Sequence, residues 1–242
     1  MFGKKEVNEL LISSVILGFV FGFDDGKESF NLFYWLFNFV LITIITGLSI
    51  FGREFVKKVV AKRKNCVTEY EIWKIKRFWF QKSSVSKRGI PIFSLLAVLF
   101  SFLSRGKLFF CAIGKTTVES VRKYRVGRKF SGVTDYERGV ILLSGIIFNL
   151  FLALIFNMTS IYPFKLFFIV NIWLVAFNMI PIPSLDGGMI FFSSKLLYVF
   201  SLGFIILSFG LKDLNIIANI ILSFVVAFIL LVLFYYFGEY RK

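Results

Sequence analysis

Residues 178–188 read Asn178-Met179-Ile180-Pro181-Ile182-Pro183-Ser184-Leu185-Asp186-Gly187-Gly188, a helix-breaking interval set between two long apolar runs. Pro181 and Pro183 lack the amide proton that a helix interior needs, so a helix arriving from residue 163 must stop here. Gly187 and Gly188 carry no β-carbon and let another stretch of backbone come close. The break frees carbonyls and fixes the Asp186 carboxylate at the inner end of an apolar run, where an ionised group is costly and is a functional candidate by default. On composition alone, a helix-ending turn whose aspartate reaches the headgroups is an equal reading.

Outward from this interval, apolar runs occupy 163–183 and 190–210 on its two sides, then 139–160, 214–238 and 31–52, with a shorter one at Leu10–Phe23. About 20 helical residues cross a hydrocarbon core. A content of 57% hydrophobic residues in 242, with a mean hydropathy of +0.79, exceeds what a soluble core needs, so the excess is expected to face lipid. The first run follows Lys4 and Lys5 as a signal peptide would. It ends in Phe23-Asp24-Asp25-Gly26 without a small-residue cleavage site, and is expected to be a retained helix. Cys66 and Cys111 provide no disulfide framework and read as buried small side chains.

The net charge is +15, and its placement says more than its size. Residues 53–90 carry 12 Lys/Arg against 3 acids and residues 105–138 carry 9 against 3, so these two segments hold 21 of the 29 basic residues. Such an excess marks cytoplasmic loops rather than a nucleic-acid surface, and no nucleic-acid partner is expected. If both segments are cytoplasmic, the apolar stretch between them must enter and return. Ser104-Arg105-Gly106-Lys107 is its polar turn, with arms Ile92–Phe102 and Leu108–Ile113 too short to cross. A re-entrant hairpin is tolerated at membrane depth only when it is buried against other helices. The expected fold is therefore an all-α integral membrane protein of about six transmembrane helices plus a re-entrant hairpin. It forms one polytopic domain over 1–242, with the basic loops and both termini, including Arg241-Lys242, in the cytoplasm. Residues 114–138 are the expected cytoplasmic subdomain.

A second acid, Glu54, also lies at the inner end of an apolar run, within Arg53-Glu54-Phe55-Val56-Lys57-Lys58. Taken together, these stretches are similar to the site-2 protease family of intramembrane zinc metalloproteases, of the short archaeal and bacterial type. The interval from Asn178 to Gly187 resembles the family's N-x-x-P-x-P-x-L-D-G motif, with Asn178, Pro181, Pro183, Asp186 and Gly187 in place. Ser144-Gly145-Ile146-Ile147-Phe148-Asn149 resembles A-G-P-x-x-N, with Ile146 instead of proline, and Glu69-Tyr70-Glu71-Ile72-Trp73 resembles the segment after the metal helix. The likeness runs in the family's order from about Leu10 to Phe192.

The resemblance implies H-E-x-x-H at 53–57, where two imidazoles and one aspartate hold zinc and the glutamate is the general base. By position Glu54 is that base and Asp186 the third ligand, with Asn149 and Asn178 lining the site. Arg53 and Lys57 stand where the histidines belong, and the chain contains no histidine. A guanidinium offers only donors, and an ammonium must lose its proton before it can coordinate. No metal cofactor is expected, and Glu54 is expected to be catalytically silent.

Arg53 and Lys57 are four residues apart on one helical face. One reading pairs Arg53 or Lys57 with Asp186, and Glu54 with Lys57 or Lys58. The other sends both cations to the headgroups without partners. Gly114-Lys115-Thr116-Thr117 resembles the end of a phosphate-binding loop, but Phe109 occupies the position of the first glycine and no nucleotide site is expected.

The expected function is that of a pseudoprotease, binding membrane segments or partner proteins, with membrane lipids as its surroundings. Two rivals are a working intramembrane metalloprotease with unusual ligands, such as Glu54, Asp186 and a cysteine, and a small transporter or channel subunit with Glu54 and Asp186 lining a polar path. The client and the oligomeric state are not legible in the sequence.

Overall fold

A computed structural model of the chain describes residues 2–24, 30–77, 85–121, 132–159 and 161–239. Lys123, the Arg241-Lys242 tail and the middles of both basic segments lie outside the described residues. In chain order the elements are α1 (Lys4–Gly22), α2 (Leu32–Arg63), β1 (Cys66–Ile72), β2 (Ile75–Arg77), β3 (Val85–Ile90), α3 (Ile92–Leu103), β4 (Gly114–Ser120), α4 (Asp135–Asn157), α5 (Phe164–Met179), α6 (Asp186–Ser193), α7 (Lys195–Gly210) and α8 (Ile216–Glu239).

The protein is mostly helical, and among the described residues three helices are long and apolar enough to cross a membrane: α2, α4 and α8. They correspond to the runs at 31–52, 139–160 and 214–238. Helix α2 continues about three turns beyond its apolar run and carries Lys57, Lys58, Lys62 and Arg63. The runs at 163–183 and 190–210 are shorter as helices than as sequence. Helix α5 stops at Met179, ahead of Pro181. The run at 190–210 is divided at Ser194, whose extended backbone separates α6 from α7 and whose hydroxyl oxygen accepts from the amide of Leu197 at 3.3 Å. The arm Ile92–Phe102 is helical as α3. The chain from Ser104 to Ile113 turns and then runs on into β4 without a regular element.

Four strands among the described residues depart from the all-α expectation. Both two-stranded sheets are antiparallel, β1 with β4 and β2 with β3. Their cause is local: Cys66-Val67-Thr68-Glu69-Tyr70-Glu71-Ile72 alternates buried and exposed side chains with the period of a strand.

Helices α1 and α2 cross closely through Gly18 and Gly22. A β-carbon on Gly18 would meet the Thr43 backbone at 2.8 Å, and one on Gly22 would meet the Phe39 backbone at 3.3 Å. Spaced four apart, these glycines give a small-residue crossing of the kind that packs helices in lipid. The Thr46 hydroxyl donates across it to the Ser14 carbonyl at 3.0 Å. One apolar core gathers α1, α2, α3, α5 and β1 around Leu10, Leu17, Ile45 and Ile113. The other gathers α4 to α8 around Ile141, Ile146, Leu150 and Ile190. Helices α2 and α4 meet between these cores, and there the polar site lies.

Candidate functional site

Three stretches of chain converge on one buried ammonium. Lys57, on the face of α2 turned toward α4, is wholly inaccessible to solvent. Its Nζ donates to Asp186 Oδ2 at 2.6 Å, to Thr116 Oγ1 at 2.8 Å and to Glu54 Oε1 at 2.9 Å. An ammonium has three donors, and all three are used. The Thr116 hydroxyl in turn donates to Glu54 Oε2 at 3.1 Å, and Arg53 Nε donates to Glu54 Oε1 at 3.0 Å. Two cations and two anions thus form a closed, neutral cluster, in which Arg53, Glu54 and Asp186 are also buried.

Local sequence explains each placement. Arg53, Glu54 and Lys57 share a helix, and the i, i+3 spacing sets the Glu54–Lys57 contact. Asp186 arrives through the broken helix. After α5 ends, Ser184 takes a positive φ of 79° and Asp186 opens α6. The turn folds back so tightly that a β-carbon on Gly187 would lie 2.5 Å from the Met179 carbonyl, while Gly188 packs on the Ile182 carbonyl. From α7 the Tyr198 hydroxyl donates to the Met179 carbonyl at 3.0 Å, satisfying the end of α5. On the α4 side, Gly145 leaves room for the cations: a β-carbon there would be 2.5 Å from Lys57 Cε and 2.9 Å from Arg53 Cγ.

Of the two readings of the cations, the geometry gives the paired one. Lys57 joins both acids, Arg53 pairs with Glu54, and Lys58 turns the other way to pair with Glu6 at 2.9 Å. Asn149, one helical turn beyond Gly145, is buried, and neither its Nδ2 nor its Oδ1 has a partner among the described residues. Asn178 is buried and donates to the Leu174 carbonyl at 2.7 Å. Pro181 and Pro183 shape the turn from the exposed side. Thr116 carries no signal in the sequence beyond a likeness to the end of a phosphate-binding loop, and its place in the cluster follows from the register that sets it opposite Tyr70.

Beside the cluster, Tyr70 donates from its hydroxyl to Ser13 Oγ at 2.9 Å, and burial pushes its phenol up to about 12, so it stays neutral. Chemically, the cluster holds two carboxylates at fixed positions, Glu54 accepting through both oxygens and Asp186 through Oδ2. Both are engaged by Lys57.

No family model matches this sequence, and no solved structure matches it. It is 23% identical over 197 residues to the protein named "Putative zinc metalloprotease MJ0611" of Methanocaldococcus jannaschii, across 77% of this chain and 83% of that protein. This distant similarity points to a metalloprotease-like chain.

Proposed function

We propose that this chain is a site-2-protease-like intramembrane protein in which the Lys57 ammonium stands in place of zinc, and that it holds membrane segments or partner proteins without cutting them. One observation carries this reading: Lys57 Nζ lies within hydrogen-bond distance of Glu54, Asp186 and Thr116 together. In the family the corresponding acids serve a metal and its water. Here they neutralise a fixed cation.

Zinc, which the resemblance and the relative's name both imply, does not suit this donor set. Arg53 and Lys57 present only N–H donors where imidazole nitrogens would be needed. A dication near Asp186 would have to displace the Lys57 ammonium, which donates to both carboxylates. No hydrolytic step is therefore assigned to Glu54. Elemental analysis of the purified chain should find zinc no higher than in a control membrane protein. One zinc per chain, lost together with peptide cleavage on chelation, would overturn the reading in favour of a working protease.

In this reading the basic segments 53–90 and 105–138 face the cytoplasm, and α3 with the following turn enters and leaves by that same side. Six crossings then put both termini in the cytoplasm. Cysteines placed at Lys64 and Lys123 should be labelled from one side of the membrane. Labelling from opposite sides would rule this topology out.

A further inference from the structure

A groove of about 540 Å³ runs along the basic end of α2, away from the buried cluster. Its walls are Phe55 and Val59 of α2 and, facing them, Val67 of β1 and Val121 just beyond β4. These four are 58%, 39%, 54% and 60% exposed, a concentration of open apolar surface that the fold leaves uncovered. At its end stand Lys62 and Asn65, neither of whose side chains has a hydrogen-bond partner among the described residues. Lys58 also lines the groove, but it is committed to Glu6 and to the Thr68 carbonyl at 2.6 Å.

The groove continues an apolar stripe of the membrane-crossing helix. Ile44 and Leu48, 56% and 59% exposed, lie on α2 ahead of Phe55 and Val59, and Lys62 closes the stripe one turn further on. From Leu48 to Lys62 the helix rises about 20 Å, roughly one leaflet of hydrocarbon together with its headgroup. Cationic charge collects at that end: Lys62, Arg63 and Lys64 follow in near succession, and residues 55–68 contain no acid. Glu119 lies opposite Val67 in the sheet but outside the groove lining.

We infer that this groove seats an anionic phospholipid of the surrounding membrane, its acyl chain against Phe55, Val59 and Val67 and its phosphate on Lys62 and Asn65. The inference requires that α2 cross the membrane and that its turns from Phe55 to Lys62 lie at the level of the cytoplasmic headgroups. It stands or falls separately from the absence of zinc. An isolated ammonium near a headgroup and an apolar channel leading into the bilayer supply the two halves of such a ligand.

The test is native mass spectrometry of the full chain in detergent, loaded with phosphatidylglycerol or with phosphatidylcholine of the same acyl chains. Wild type should retain phosphatidylglycerol preferentially, and Lys62→Gln should cut that preference about fivefold. Lys212→Gln, which alters a lysine placed over the Phe168 ring, should leave it unchanged. Val67→Trp should fill the groove and reduce retention of both lipids. Equal retention of the two lipids by wild type would overturn the inference, as would equal effects of the two lysine variants. Displacement by inorganic phosphate, with Val67→Trp without effect, would show a site for the free ion and would overturn it as well.

Discussion

Two groups of buried charges lie a few residues apart, and they are wired differently. At the junction of α1 and β1, Glu6 and Glu9 accept from the strand's own amides, Tyr70 N at 3.0 Å and Ile72 N at 2.7 Å. Lys58 and Lys74 neutralise the two carboxylates from the rim. These acids act as a substitute neighbouring strand, closing an edge that would otherwise leave amides unpaired. In the cluster of Arg53, Glu54, Lys57, Thr116 and Asp186 the hydrogen bonds of the charged side chains run, among the described residues, from side chain to side chain. No backbone group depends on it. Charges that serve the backbone are required by the fold. The inner charges serve one another instead, as a self-contained set.

The comparison breaks most readily at Asp186. Asp186→Ala strands part of the charge on Lys57 in a buried setting and should lower stability by about 3–5 kcal/mol, read by thermal unfolding in detergent. An unchanged melting temperature would mean that the ion pair contributes nothing. Glu9→Ala, which leaves the Ile72 amide unpaired, should cost about 1–3 kcal/mol. Glu9→Gln keeps an acceptor there and should cost less than half as much as the alanine variant. Gly145→Ala drives a methyl into Lys57 and Arg53, and should cost about 1–3 kcal/mol through overpacking.

The smallest effect is expected from the most extensive change. Arg53→Met, Glu54→Met, Lys57→Met, Thr116→Val and Asp186→Leu together replace the whole cluster with apolar side chains. Such replacements are often neutral or stabilising, so this variant should unfold closer to wild type than Asp186→Ala does. If it unfolds earlier than Asp186→Ala, the inner cluster is as structural as the outer one and the contrast fails.

Much of this arrangement could be read from local sequence. The three membrane-length helices follow from apolar run length, and the stop at Met179 follows from Pro181. The meeting of Glu54 with Lys57 needs only helical spacing. Its extension to Asp186 is one of two open readings, the other leaving both cations unpaired at the headgroups, and the choice depends on how deeply α2 is buried against α4. That depth is set by Gly145 and Gly52, residues that no periodicity marks as contacts. Charge is the dominant signal in 53–90 and masks the strand period, although Cys66–Ile72 alternates cleanly. Thr116 was beyond reach for a different reason: its role depends on the pairing of β1 with β4, across dozens of intervening residues. The division at Ser194 was concealed inside an apolar run that looked continuous.

Lys57 and Lys58 are neighbours in α2, yet one is locked into the inner cluster and the other into the strand-edge cluster. Successive residues of a helix point about 100° apart, so the two side chains act as adjacent teeth of one key engaged in separate wards. Turning α2 about its axis would disengage both at once. The two sets of ion pairs therefore hold the rotational setting of α2 from two directions.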